Sequence, residues 1–286
     1  MATPTDTSGS YPGQSLVSRV SSIDSSSVVV WSVACVLLLV LIIAYIVWRI
    51  RRRDLKSLIL VRDPVRLDGP GMPLTIDQSK IPTTLNGQEY SYSFWLYLVQ
   101  YENKAAHTMI FGRGQGVGAT AEAAVGGSPL VYLDQSTNKL YVSVAKNSAA
   151  ATTTVFTDVQ ASTNFVQGVI DYVPMQRWVN VVIVVQDQLM TLFLDGDIYT
   201  VSNVTDTVTT ATPRPVFGAT SGSVVVGASP ATNQQQAFLS QLQFFNFAMT
   251  MRDVKARYAG GPLAPSALSL LGIPAYGIRS PVYKLQ

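Results

Sequence analysis

The chain has 286 residues, and its formal net charge of +3 is unevenly placed. Seven bases (Arg49, Arg51, Arg52, Arg53, Lys56, Arg62 and Arg66) crowd residues 49–66, whereas the rest of the chain is close to neutral, which excludes nucleic acid as a partner and points to anionic lipid headgroups. The single cysteine, Cys35, excludes a disulfide framework and a thiolate metal site in the C-terminal part.

Residues 1–27 are a Ser/Thr-rich head with a Pro-Gly pair and no apolar periodicity, a composition that favours disorder. Val28–Trp48 then runs without a charge, and at about 1.5 Å per residue it matches a hydrocarbon core of about 30 Å. A single transmembrane helix is expected. Its interfacial rings are Trp31, Tyr45 and Trp48, and Arg49, Arg51, Arg52 and Arg53 hold its C-terminal end on the cytosolic side. The bases follow the apolar run instead of preceding it, so the segment does not read as a cleaved signal peptide.

Residues 49–79 are expected to be a basic juxtamembrane segment and linker, broken at Asp68-Gly-Pro-Gly71, with a short β-prone run at 57–61. From residue 80 the pattern is all-β. Tyr90–Val99 alternates apolar and mixed positions, as a strand with one buried face does. Further strands are predicted at 108–111, 130–133, 140–144, 178–186, 189–194, 223–227 and 238–247, with a surface loop at 115–128. Short strands without interleaved helices define an antiparallel β-sandwich or jelly roll. Met251–Tyr258 reads as a helix, with Thr250 and Asp253 forming a capping box and Gly260-Gly261-Pro262 stopping it. Residues 263–286 are apolar but interrupted by prolines, and are expected to be a docking tail.

Trp178, Val181 and Ile183 followed by Leu192-Phe-Leu-Asp-Gly196, the strand Tyr92-Ser-Phe-Trp-Leu-Tyr97, and Leu242–Thr250 before the helix together resemble the laminin-G-like and concanavalin A-like lectin/glucanase sandwiches over residues 80–262. The resemblance implies a concanavalin A-like jelly roll in which Trp178 is buried between the sheets. Hydrolases of that superfamily carry Glu-x-Asp-x-x-Glu, because retaining cleavage needs two carboxyls about 5 Å apart. None of Glu89, Glu102 and Glu122 begins that pattern, so a non-enzyme without a catalytic pair is expected. His107 reads as an ordinary edge residue, and Gly112–Gly116 lacks the ending of a phosphate loop.

The resemblance leaves two kinds of ligand open. Asp195 and Asp197 are candidates for Ca2+, against the hairpin turn that Asp-Gly commonly makes. Tyr92 and Trp95 are candidates for stacking on a glycan, against the core role that alternating aromatics commonly play. The order of parts, an N-terminal membrane helix and then a sandwich, is similar to that of membrane-associated minor capsid proteins of large icosahedral DNA viruses. It implies a structural protein that links an internal virion membrane to the capsid shell, with the bilayer and other structural proteins as partners. A membrane-anchored lectin is the alternative.

Overall fold

The computed structural model describes residues 25–54, 56–83, 89–105, 107–114, 123–125, 128–145, 153–155, 165–186, 188–203, 222–227 and 235–263. It divides the chain into two units, residues 1–53 and 54–286. Helix α1, Ser25–Asp54, contains the whole apolar run. Its side chains are described over residues 30–46, and these are exposed. Counted over the described residues, no helix is long and apolar enough to cross a membrane.

The second unit is an antiparallel two-sheet sandwich. Its strands are β1 (Ser57–Val61), β2 (Val65–Arg66), β3 (Leu74–Ile76), β4 (Tyr90–Leu98), β5 (Thr108–Arg113), β6 (Ala123–Val125), β7 (Leu130–Leu133), β8 (Leu140–Ala145), β9 (Thr153–Val155), β10 (Phe165–Ile170), β11 (Trp178–Gln186), β12 (Leu189–Leu194), β13 (Asp197–Asn203), β14 (Val224–Val226) and β15 (Ala237–Phe245). Seven form one sheet in the order β1-β15-β4-β11-β12-β13, with β2 also paired to β15. Six form the facing sheet, β10-β8-β7-β5-β14-β3, while β6 pairs with β9. Segment 57–76, expected as linker, therefore supplies three strands: β1 and β2 lie along β15, and β3 along β14. The expected loop at 115–128 is described at residues 123–125 and 128, and the first of these are β6; its other residues, like the 264–286 part of the tail, lie outside the described residues.

The core follows from alternation. Tyr90, Tyr92, Phe94, Leu96 and Leu98 of β4 and Val179, Val181, Ile183 and Val185 of β11 point between the sheets, because successive strand side chains face opposite ways. The intervening residues face outward, and a second helix covers them. Helix α2, Met251–Gly260, begins at the predicted capping box: Thr250 Oγ1 accepts from the Asp253 amide, and the Asp253 carboxylate accepts from the Thr250 amide. Its Val254 packs on Val182, Val184, Phe193 and Phe245, which lie on the outer face of the seven-stranded sheet.

Register decides the fate of the two tryptophans. Trp95 is buried, and its ring stacks on Tyr258 of α2 at 5.8 Å between centroids. Trp178, expected between the sheets, stands instead on the outer face, half-buried against Tyr97. It shares a face with Asn180, Val182 and Val184, since inward and outward positions alternate along β11.

Candidate functional site

Strands β4, β7, β10 and β12 end, and β5, β8, β11 and β13 begin, at one end of the sandwich. The connections 99–107, 134–139, 171–177 and 195–196 therefore converge, with Gln235 before β15, into one rim. The rim is held by polar contacts. The Gln235 amide nitrogen donates to Thr108 Oγ1 at 2.8 Å, and its side chain accepts from the Glu102 amide at 3.0 Å while donating to the Glu102 carbonyl. The Lys104 ammonium lies 2.6 Å from the Glu102 carboxylate, and the Lys104 amide donates to the Gln135 carbonyl. Asn138 and Val173 exchange two bonds, 2.8 Å side chain to carbonyl and 3.0 Å amide to carbonyl.

His107 is a buried rim residue rather than an edge residue. Its Nδ1 lies 3.4 Å from Asp134 Oδ1, and its ring meets Tyr132 edge-on. Burial pushes the Asp134 carboxyl up, but hydrogen bonds from Thr137, Ser136 and the Gln135 amide, together with His107, hold it below the usual carboxylate range. Asp195 shows the opposite balance. Burial raises its pKa, and the Asn180 amide and the Arg177 guanidinium only partly offset that. One Asp195 oxygen accepts from the Asn180 amide at 2.8 Å and the other from Arg177 at 2.6 Å. Gly196 completes the turn with φ +92°, and a Cβ there would lie 3.3 Å from the Tyr258 ring, so glycine meets both the left-handed backbone and the close approach of α2. The pair is a structural turn on which the helix rests.

The four candidate ligand residues do not form one open site: Trp95, Asp195 and Asp197 gather around Tyr258 of α2, and Tyr92 lies on the other face of β4. Tyr92 is fully buried between the sheets, with Phe111 and Phe244 within 5.2 Å of its ring centroid, and burial pushes its hydroxyl pKa up to about 12. Trp95 is sealed under α2 on the opposite face of the strand. Neither ring is available to stack on a sugar. Asp195 is engaged as above, and Asp197 is exposed with Lys255 at 4.0 Å. Among the described residues no three His, Cys, Asp or Glu side chains form a group suited to a metal ion. Of the membrane-anchor residues, Trp31 and Tyr45 are exposed on α1, while Trp48, Arg49, Arg51, Arg52 and Arg53 lie in α1 with side chains outside the described set.

Two features are not legible in the sequence. Arg113, at the end of β5, is buried at the far end of the core, its guanidinium 5.1 Å from the Phe244 ring and its Nε donating to the Gly222 carbonyl at 3.3 Å. At the rim, Tyr172 stands 58% exposed beside Asp171, which pairs with Lys139 at 3.3 Å. An aromatic two residues before a proline in a short connection, Tyr172-Val-Pro174, is the signal that could have marked it.

An antiparallel two-sheet sandwich whose connections gather into a braced polar rim places the chain among the all-β sandwich proteins. The chain belongs to the concanavalin A-like lectin/glucanases superfamily, whose laminin-G branch it matches over residues 75–255. Similar solved structures include a botulinum neurotoxin serotype D binding domain (12% identity, TM-score 0.48, covering 72% of this chain and 46% of that one). Two others are the receptor binding domain of botulinum neurotoxin D (11%, 0.49, 72% and 47%) and a serotype D ligand binding domain in complex with N-acetylneuraminic acid (13%, 0.47, 72% and 46%). The chain spans about half the length of those structures, and at these identities the likeness concerns the fold alone. No curated protein sequence matches the chain.

Proposed function

We propose that the chain is a non-enzymatic, single-pass membrane protein whose sandwich binds other proteins on the cytosolic side. The observation that carries this is the uncharged run Val28–Trp48, closed by Arg49, Arg51, Arg52 and Arg53. A helix apolar on all sides needs hydrocarbon around it, and the arginines favour the cytosolic face. The rim supports the non-enzymatic part. Among the described rim carboxylates, Glu102, Asp134, Asp171 and Asp195 are each paired with a neighbouring base, an engagement that ties them into the fold. The finer form of the proposal is a minor capsid protein that bridges an internal virion membrane and the capsid shell, supported by the order of head, membrane helix and sandwich.

Topology is the first test. In sealed membranes, protease on the cytosolic side should digest residues 54–286, and Asn203 of the Asn-Val-Thr sequon, exposed at the end of β13, should carry no glycan. Protection of the domain or a glycan on Asn203 would overturn the orientation. Cross-linking mass spectrometry on the intact source particle then tests the capsid role, which fails if residues 54–286 link to no shell protein.

A glycan-binding role is favoured by one observation, the exposed Tyr172 beside Asp171, Lys139 and Asn138. Specific binding on a glycan array that is lost on Tyr172→Ala would replace the protein-binding proposal.

A further inference from the structure

Helix α2 covers the outer face of the seven-stranded sheet only in part. Beyond it, the pairing of β12 with β13 sets Ile198 opposite Phe193 and Val201 opposite Thr191, so Ile198, Val201, Thr191 and Leu189 share the outward face that Phe193 occupies. Phe193 is buried under α2. Leu189, Ile198 and Val201 are 46%, 55% and 53% exposed. The flank of α2 forms the other wall: Lys255 reaches toward Asp197, and Tyr258 rests against Gly196. Met251, one turn before Lys255, lies on that same flank and is 39% exposed. Together these side chains line an apolar trough between α2 and the last two strands of the sheet. Ile59 and Leu74 are also exposed, on strands of opposite sheets, scattered as surface residues commonly are.

We propose that this trough is a docking surface and that its occupant is the chain's own C-terminal segment, residues 264–286. Size argues for a single segment over a second copy. Four half-exposed side chains offer on the order of 300 Å², whereas a stable interface needs roughly 800 Å² from each partner. Reach and position agree. The Pro262 carbonyl accepts from Ser240 Oγ, and Ser240 pairs across from Trp95 beneath α2, so the chain leaves the helix on the outer face of this same sheet. From β15 to β13 is four strand steps, about 19 Å at ~4.8 Å each. The stretch from Pro262 to Ala267, extended, covers about 17 Å. Within the apolar block Ala267-Leu-Ser-Leu-Leu-Gly-Ile273, the residues from Leu268 onward are within reach of the trough, since six extended residues span about 20 Å.

Composition fits the occupant as well. Pro265, Pro274 and Pro281 bar a long helix and interrupt ladder pairing, which suits an extended segment laid along a surface and held by side chains. Leu268, Leu270, Leu271 and Ile273 are the side chains that would fill the trough. The tail then serves the domain itself instead of an outside partner.

The test uses the full-length chain in membranes or mild detergent, with the photo-crosslinker benzoylphenylalanine placed at Val201 and, separately, at Ile198. Both positions are exposed, so the replacements leave the core intact. Irradiation should yield a monomeric product in which the probe is joined to residues 264–286. The same variants truncated after Leu263 should lose that product. Covalent dimers, links to another protein, or probes that never reach residues 264–286 from either position would overturn the proposal. As a second readout, Ile198→Lys and truncation after Leu263 should each increase binding of a hydrophobic dye, and together no more than truncation alone. Additive increases would show that trough and tail are independent, and the proposal would fail.

Discussion

Replacing Trp95 by alanine should be among the most damaging single changes in the sandwich. The side chain is 2% exposed, and it lies flat beneath Tyr258 with 18° between ring planes. An aromatic side chain removes about 150–250 Å² from water, which at ~25 cal/mol per Å² gives an upper bound of about 4–6 kcal/mol. Losing the ring stack adds about 0.5–1.5 kcal/mol, and partial settling of the ten-residue α2 into the void subtracts from the total. The expected cost of Trp95→Ala is therefore about 3–5 kcal/mol. Trp178 is only half-buried, its ring tilted 55° on Tyr97, so Trp178→Ala should cost about 1–2 kcal/mol. That order reverses the one the family motif implies, in which Trp178 sits between the sheets. Urea unfolding of the full-length chain in mild detergent, followed by the sheet signal in circular dichroism, measures both, and an unchanged slope m licenses the comparison. The reasoning is refuted if Trp178→Ala costs as much as Trp95→Ala, or if Trp95→Ala costs less than about 1 kcal/mol.

A Cβ on Gly168 would fall 2.6 Å from Leu192 Cδ1, which is buried in the core, so Gly168→Ala should cost about 1–3 kcal/mol. Combined with Leu192→Val it should cost less than the two changes added, as thermal denaturation can show. Thr250→Ala removes the cap of α2 and should cost about 1 kcal/mol, and a loss under a few tenths would mean the capping box is idle. The pH profiles of Asp195 and Asp134 should have opposite signs. The folded pKa of Asp195 is raised, so its stabilising contribution is full below the unfolded value of about 4 and is lost as pH rises through the folded value. The folded pKa of Asp134 is lowered, so its contribution is present above about 4 and lost as pH falls through the folded value. Relative to the native chain, the Tm deficit of Asp195→Asn should shrink as pH is raised through the acid range, and that of Asp134→Asn should grow; slopes of the same sign would sink the assignment.

The strands were legible because alternation is a property of a few consecutive residues. Tyr90–Leu98, Leu130–Leu133, Trp178–Gln186 and Leu189–Leu194 stand where the period of two puts them. The cap of α2 was legible for the same reason, since Thr250 and Asp253 meet within one turn. What covers each face was not a local matter. Ser57 pairs with Phe245 and Val65 with Leu239, so the segment that looked like a linker became part of a sheet only once the end of the domain had returned to it. The same return lays α2 over Trp95 and leaves Trp178 at its margin, although the two residues look alike in an alternating strand. The rim follows this pattern as well. Asp195-Gly196 announces its turn locally, but the engagement of His107 with Asp134 and of Gln235 with Glu102 joins residues 27 and 133 positions apart respectively, and so exists only in the closed sandwich. Sequence determined that the strongly alternating runs form strands and which of their side chains share a face; tertiary structure decided which further segments join the sheets, which faces are core, which lie under a helix and which are left to solvent, because that depends on contacts between segments that no local pattern records.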